Sequence, residues 1–232
     1  MRMLLVTATE RELAPLVARL TPAPRPDVSA PLRGFTHGGH DIEVLTTGVG
    51  MVATAAWCGC VLAKRSYDLI VDLGVCGSFD PAYPPGTVVN VVADCIPELG
   101  AEDDEEFLTV QQLGLLAPDE PPFNGGMLRN PHAAANRVIA ALPQANGITV
   151  NTVHGNDESI ARVVGRFRGQ DRPQVETMEG AAFMYACLVS GGSFAQVRAV
   201  SNMVEKRNRA AWRLAHAVST LNATALRLIE HA

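Results

Sequence analysis

Short apolar runs alternate with helically spaced apolar residues along the whole chain. The runs predict buried β-strands over residues 3–8, 41–47, 69–73, 88–93, 148–153 and 194–200. The helical spacing predicts α-helices over 10–20, 52–65, 131–142, 158–168, 178–190 and 210–230. For the helix 131–142, Asn130 is the predicted N-cap. Residues 97–130 are acidic, rich in proline and glycine and weakly periodic, so they are predicted to form a long loop or lid.

This alternation of strands and helices predicts an α/β fold. We expect a single domain over residues 1–232, with a mixed, mostly parallel central sheet flanked by helices. In such sheets ligands bind beyond the carboxyl ends of the strands. The residues that follow the predicted strands are therefore the first candidates for a functional site.

Charge and composition narrow the choice of partner. The chain is 47% hydrophobic and 19% charged, with a formal net charge of −5. This balance argues against nucleic acid or an anionic membrane as the partner. The first apolar run is too short for a signal peptide or a membrane anchor. Five cysteines, an odd number with no C-x-x-C pair, argue against a disulfide framework or a zinc site. We expect a reduced, cytoplasmic protein.

The segment 175–208 carries the strongest chemical signal. Met178 and Glu179 stand at the start of a helix rich in small residues, and the following apolar strand contains Arg198 and runs into Asn202. A guanidinium inside an apolar strand needs a partner, because burying a lone charge is costly. Glu179 is the predicted partner. From spacing alone, a structural ion pair and a functional site are equally good interpretations.

Other strand ends carry weaker motifs. Glycines 48 and 50 fit the dinucleotide fingerprint G-x-G-x-x-[GA], although a tight turn beside a ligand pocket explains them better. Glu10 and Glu12 follow the first strand, where acidic residues also favour a helix N-terminus. Residues 74–78 are predicted to form a glycine turn. His154 follows another strand, and a lone histidine is more often structural than catalytic.

The motif Met178-Glu179, followed by Arg198-Ala-Val-Ser-Asn202, resembles the purine nucleoside phosphorylase and methylthioadenosine/S-adenosylhomocysteine nucleosidase superfamily. Within it, the longer forms TATEREL, DLGVCGSF and RAVSNMVEKRNRAAW resemble the futalosine hydrolases. The resemblance covers nearly the whole chain. It implies hydrolysis of futalosine to hypoxanthine and dehypoxanthinylfutalosine, in a menaquinone pathway, by a homo-oligomer that needs neither metal nor organic cofactor.

The resemblance also implies roles for individual residues. Glu12 would be the general base that activates water, with Glu10 as a neighbour, and Arg198 would hold the water and the acids. Asn202 would stabilise the departing base. The substrate-binding residues would be Val49 at an apolar contact, Cys76 and Gly77 beside the purine, Met178 beneath the sugar and Glu179 on the ribose hydroxyls.

Three departures from the nucleosidase pattern bear on specificity. Val75 replaces a serine, and Glu158 replaces the aromatic residue that stacks on the base, for which Phe79, Phe107 and Phe123 are alternative candidates. Asn202 replaces an aspartate that protonates N7 of adenine. An amide cannot supply a proton but can donate a hydrogen bond to N7 and also face O6. The resemblance with this change therefore favours a 6-oxopurine.

Two rival functions remain open at this point. A phosphorylase of the same superfamily would need a phosphate cradle of arginine and glycine amides. No such arrangement follows the first two predicted strands. A non-catalytic nucleotide-binding module, suggested by glycines 48 and 50, is the alternative of another class.

Overall fold

The structure is a computed structural model that describes residues 1–24, 31–131, 136–167 and 173–232. Its strands are β1 Arg2–Thr7, β2 Thr21–Pro22, β3 Leu32–His37, β4 His40–Thr46, β5 Leu69–Ser78, β6 Val88–Cys95, β7 Gly100–Asp103, β8 Glu106–Thr109, β9 Phe123–Asn124, β10 Met127–Arg129, β11 Gln144–Thr149, β12 Val175–Thr177 and β13 Phe194–Met203. Its α-helices are α1 Glu10–Val17, α2 Met51–Leu62, α3 Arg137–Ala140, α4 Asp157–Gly165, α5 Gly180–Ser190 and α6 Leu214–Glu230. A 3₁₀ turn covers Arg209–Ala211.

Four parallel strands, in the order β4-β1-β5-β13, form the centre of the sheet. On the far side β13 pairs antiparallel with β6, and β6 continues through β11 and β12 back to β5. These five strands therefore close into a ring that shares β5 and β13 with the parallel sheet. The carboxyl halves of β5 and β13 lie where the sheet and the ring meet.

Helices cover both faces of the parallel strands, and each face has its own apolar core. Residues from α1, α3 and α6 pack against one face, and residues from α2 and α5 pack against the other. The apolar runs of β1 and β5 are buried because both faces are covered, as expected for parallel strands. None of the helices in the described ranges is long and apolar enough to cross a membrane.

A proline interrupts α1, and α6 bridges the interruption. Pro15 lies inside α1 and lacks the N–H that a helix interior needs. The side chain of Asn222, on α6, accepts a hydrogen bond from the Leu16 amide and donates one to the Glu12 carbonyl, both at 2.8 Å. The short helix that carries Glu12 is thereby fixed to the closing helix.

Several predicted elements differ from those observed. The predicted loop 97–130 contains the hairpin β7–β8 and the short strands β9 and β10, which are too short to show a period of two. The predicted turn 74–78 is wrong, because β5 continues as a strand through Ser78. β3 and β12 were not predicted.

The helix predicted over 131–142 is shorter in the structure, and residues 132–135 lie outside the described ranges. Asn136, not Asn130, caps α3, since its side chain accepts from the Val138 amide at 2.9 Å. Asn130 instead donates its side-chain amide to the Phe194 carbonyl at 2.7 Å.

Candidate active site

A fully buried arginine lies at the centre of the candidate site. Arg198 stands opposite Gly74 in the pairing of β13 with β5, and its side chain is almost completely buried. Its guanidinium contacts the carboxylate of Asp72 through Nη2, and Nη1 lies 3.8 Å from Glu179 Oε2. The predicted pairing with Glu179 is present, but Asp72 makes the closer contact and was missed.

The backbone of β5 makes room for this guanidinium. A Cβ atom on Gly74 would collide with Arg198 Nη1 and would lie 3.2 Å from Glu12 Oε1. A glycine inside a strand often marks such a close approach. Gly74 therefore leaves space for both Arg198 and Glu12 on the side of the strand where its side chain would lie.

Polar contacts fix the orientation of Arg198. Its Nε donates to Gln196 Oε1 at 3.2 Å, and Gln196 Nε2 donates to Asp94 Oδ2 at 3.0 Å. Thr149 donates to the other oxygen of Asp94 at 3.0 Å. Burial raises the pKa of Asp94 to about 6, although these two hydrogen bonds act in the opposite direction. The guanidinium is held in a buried chain of polar groups, which is typical of a preorganised site.

Three carboxylates face this one guanidinium. The pKa of Asp72 is raised to about 7, chiefly by burial, and while Arg198 lowers it, Glu179 and Glu12 add to the rise. Burial lowers the pKa of Arg198, but the carboxylates, Asp72 first, outweigh it and leave this pKa raised. The cluster therefore keeps its cation charged and holds Asp72 close to protonation near neutral pH.

Glu12 points into this cluster, whereas Glu10 points to solvent. Glu12 Oε2 accepts from the Thr9 amide and hydroxyl, both at 2.9 Å, and Oε1 accepts from the Val75 amide at 3.2 Å. In these contacts Oε1 accepts a single bond, which leaves a lone pair for a further donor. The Glu10 side chain is 70% exposed and lies 3.9 Å from Arg33. The structure therefore distinguishes Glu12, which is in the cluster, from Glu10, which is not, although both were candidates from the sequence.

Glu179 links the glycine turn of residues 48–50 to the cluster. It precedes α5, and its Oε1 accepts from the Gly50 amide at 3.0 Å, at the start of α2. That amide is the kind of donor that a dinucleotide phosphate would need. A carboxylate already occupies it, which argues against the dinucleotide interpretation. Val49 is 58% exposed beside this turn, and Met178 is half-buried next to Glu179.

A second group of side chains surrounds Gly77, three residues further along β5 and so about 10 Å from Gly74. Glu176 of β12 and Asn202 of β13 are both register partners of Gly77, from opposite sides. A Cβ atom on Gly77 would lie 2.8 Å from Val204 Cγ2 and 3.4 Å from Asn202 Nδ2. A cavity of about 70 Å³ opens here, and its lining includes Gly77, His154, Glu176, Asn202 and Trp212.

The side-chain amide of Asn202 already makes hydrogen bonds with two neighbouring residues. A register shift in β13 between Val200 and Asn202 redirects the chain at this point. Ser201 donates to Asn202 Oδ1 at 2.8 Å, and Asn202 Nδ2 donates to the Met203 carbonyl at 2.9 Å. One N–H of the amide is left for a ligand in the cavity. Cys76 is buried in the core, and its carbonyl lies 3.0 Å from the same Ser201 hydroxyl, whose single proton serves one of the two acceptors at a time.

Three residues of this second group, Glu176, His154 and Trp212, were missed or undervalued from sequence. His154 was interpreted as structural, yet its ring Nδ1 contacts the buried Glu176 carboxylate and its amide donates to the same group at 3.0 Å. Trp212 lines the cavity, whereas none of Phe79, Phe107 and Phe123 does. The signal for Trp212 was its place in the motif VEKRNRAAW, ten residues after Asn202.

Comparison with known proteins agrees with this geometry. The model of the phosphorylase superfamily matches residues 2–230. A futalosine hydrolase of Streptomyces coelicolor is 34% identical over 229 residues, covering 95% of this chain and 92% of that protein. One of Acidothermus cellulolyticus is 32% identical over 236 residues, covering 95% and 90%.

Solved structures share the fold at low identity. A methylthioadenosine/S-adenosylhomocysteine nucleosidase of Colwellia psychrerythraea, in complex with adenine, has a TM-score of 0.79 at 19% identity and covers 100% of this chain and 95% of that one. The futalosine hydrolase of Helicobacter pylori has a TM-score of 0.78 at 12% identity and covers 100% and 98%. These likenesses confirm the predicted α/β fold with a mixed central sheet flanked by helices.

Proposed function

The chain belongs to the phosphorylase superfamily, as the sequence resemblance predicted, and we propose that it hydrolyses the N-glycosidic bond of futalosine. The products are hypoxanthine and dehypoxanthinylfutalosine, and the pathway is that of menaquinone. The relatives named futalosine hydrolases support this substrate. The observation that carries the reaction type is the meeting of Glu12, Glu179 and Arg198 around Gly74.

In the proposed mechanism a water molecule attacks C1′ of the ribose. Glu12 Oε1, which keeps a lone pair, accepts the proton of that water as general base. The C1′–N9 bond breaks through a transition state with oxocarbenium character, and its electron pair passes to the base. Glu179 binds the ribose hydroxyls with Met178 beneath the sugar, and Arg198 orients the acids. Side chains and water supply every group, so the reaction uses neither a metal nor an organic cofactor.

The base binds in the cavity beside Gly77, between Asn202 and Trp212. The remaining N–H of the Asn202 amide donates to N7, and Trp212 offers an apolar aromatic surface. The distance of about 10 Å between Gly74 and Gly77 is comparable with the length of a nucleoside. One substrate can therefore reach the carboxylate cluster with its sugar and the cavity with its base.

Hydrolysis is favoured over phosphorolysis by the charges around Arg198. Asp72, Glu12 and Glu179 all face this guanidinium, so its positive charge is already neutralised and is not left for a phosphate. The Val75 amide could donate a hydrogen bond to a phosphate, but it already donates to Glu12. We expect purified protein to release free base at the same rate with and without inorganic phosphate. A phosphate-dependent rate with ribose 1-phosphate-type products would assign it as a phosphorylase.

We expect selectivity for 6-oxopurine nucleosides, set by Asn202. Incubated in turn with futalosine, inosine and methylthioadenosine, the protein should release hypoxanthine much faster than adenine. A mismatched buried polar contact discriminates by roughly 10⁴-fold in favourable cases. Chromatography of the free bases measures both rates. Adenine release from methylthioadenosine as fast as hypoxanthine release from futalosine would contradict this role of Asn202.

The variant Asn202→Asp tests the same contact. An ionised carboxylate facing O6 is repelled, so activity on futalosine should fall, while the small activity on methylthioadenosine should rise. The matched control is Asn208→Asp, which introduces the same charge elsewhere in the cavity lining. If both variants change the two activities alike, the effect is one of general charge and not of base recognition.

We propose that the protein is a cytoplasmic homodimer assembled through α2 and α5. These two helices pack side by side, and neither contains a charged residue. Their outer surfaces expose Val52, Trp57, Tyr185 and Val189. A contiguous apolar patch on a surface marks an interaction site. A second copy fits it, because an uncharged, uniformly apolar face is complementary to itself in a two-fold contact.

The dimer should dissociate when a charge is placed in this face. Val189 is 67% exposed, so Val189→Glu should leave the stability of the monomer unchanged. In the dimer, the same change buries an unpaired carboxylate. Light scattering coupled to size exclusion should give the dimer mass for the parent and the monomer mass for the variant. Ala223→Glu, at an exposed position of α6 on the opposite face, is the control and should remain dimeric. A monomeric parent would overturn the proposal.

A further inference from the structure

A histidine–glutamate pair forms one wall of the cavity beside Gly77. His154 follows β11, and Glu176 lies in β12, where it is register partner of Gly77. The Glu176 carboxylate accepts from the His154 amide at 3.0 Å and contacts ring Nδ1. The side chain of Glu176 is 3% exposed and that of His154 is 15% exposed. One carboxylate thus fixes both the backbone and the ring of His154.

The contact with Glu176 at Nδ1 leaves the other ring nitrogen for a ligand. Glu176 engages Nδ1, and His154 itself lines the cavity that Asn202 lines from β13. Nε2 is therefore the ring nitrogen available to a ligand there. A carboxylate at one ring nitrogen fixes the orientation of an imidazole and stabilises its doubly protonated form, as in the serine protease triad. Other charged groups around His154 are Glu205 and Arg207, after β13, and Glu158 and Arg162, on α4.

The proposed hydrolysis needs a proton donor that Asn202 cannot be. When C1′–N9 breaks, the electron pair remains on the purine, and an anionic base leaves poorly unless it is protonated. An amide donates a hydrogen bond but has no proton to transfer. The acids around Arg198 lie on the sugar side, about 10 Å along β5. Of the described groups that line the cavity, His154 combines a transferable proton with a fixed orientation.

We propose that His154 is the general acid that protonates the departing base, and that Glu176 is its positioning residue. This inference rests on the proposed nucleosidase function. As C1′–N9 breaks, the proton on Nε2 passes to N9, which keeps the electron pair of the broken bond while N7 accepts from Asn202, and the base leaves as neutral hypoxanthine. The water proton goes to Glu12 and its oxygen to C1′. His154 then regains a proton from Glu12 through solvent, so the net reaction consumes one water and one nucleoside.

The test compares an ordinary base with one that needs no proton. His154→Gln keeps a polar side chain of similar size but cannot transfer a proton. Its kcat on futalosine and inosine should fall about 10²-fold, the usual contribution of a general acid, with KM nearly unchanged. On 7-methylinosine, whose base already carries a positive charge, the variant should stay within about threefold of the parent. His37→Gln, in β3, is the matched control and should behave as the parent.

Chemical rescue and the partner residue complete the experiment. Free imidazole should raise the activity of His154→Ala on futalosine by about tenfold or more, because it can occupy the vacated space and carry the proton. Glu176→Gln should show the same dependence on the leaving base with a smaller loss. Equal losses on both substrates without rescue, or an active His154→Gln variant, would overturn the assignment. A parent that releases no base at all would instead refute the nucleosidase function.

Discussion

Replacement of Glu12 by glutamine should lower kcat on futalosine by roughly 10²–10⁴-fold, the usual contribution of a general base. The amide cannot accept the proton of the attacking water. The amide also presents N–H groups to a site where the neighbouring groups are donors, namely the Thr9 amide, the Thr9 hydroxyl and the Val75 amide. The free energy of unfolding should therefore fall by about 1–3 kcal/mol as well, since a donor would be left without an acceptor. Steady-state kinetics and chemical denaturation measure the two effects.

The control for this variant lies two residues away on the same helix. Glu10→Gln removes the same charge from a side chain that is exposed and lies near Arg33. It should change neither kcat nor the free energy of unfolding beyond about 0.5 kcal/mol. Activity of Glu12→Gln within threefold of the parent, or an equal loss in Glu10→Gln, would remove Glu12 from the role of general base.

Arg198→Met should abolish activity and lower the free energy of unfolding by about 3–5 kcal/mol, because it leaves buried carboxylates without their cation. Asp72 is fully buried and loses its closest partner. The loss should be smaller at pH 5 than at pH 8. The folded state already raises the pKa of Asp72 to about 7, so stability from its protonation is present at low pH and is lost as the pH rises through that value.

A double variant separates stability from catalysis. Adding Asp72→Asn to Arg198→Met removes the uncompensated charge, and the free energy of unfolding should recover in part. Activity should not recover, because Glu12 and Glu179 still lack the guanidinium that orients them. An Arg198→Met protein with full activity and parental stability would show that the cluster is only a structural contact.

Whether a residue of the site could be predicted from the sequence depends on how far along the chain its contact partner lies. Arg198 was identified from one strand alone, because a guanidinium in an apolar run demands a partner. Asp72 was not, since its meaning depends on the register that sets β5 beside β13, where it faces Gln196. His154, in the loop after β11, and Glu176, in the neighbouring strand β12, are 22 residues apart, and no local pattern predicts that adjacency.

The glycine segment of β5 shows a related difficulty. Glycines at 74 and 77 suggested a turn, because glycine most often serves tight turns. In the structure they are strand residues, and the absent side chains make room for Arg198 at one position and Val204 at the other. Composition alone cannot distinguish a turn from a close approach, since the groups that approach come from β13 and the residue after it, more than 100 residues later.

The bridge from Asn222 to α1 determines when during synthesis the catalytic machinery can exist. Asn222, which holds the Glu12 carbonyl, lies 210 residues after Glu12 and emerges from the ribosome correspondingly later. At 5–20 residues per second, roughly 10–40 s separate the two. During that interval the nascent chain contains its acids but lacks the closing helix. The contact that fixes α1 can therefore form only after the closing helix has been synthesised.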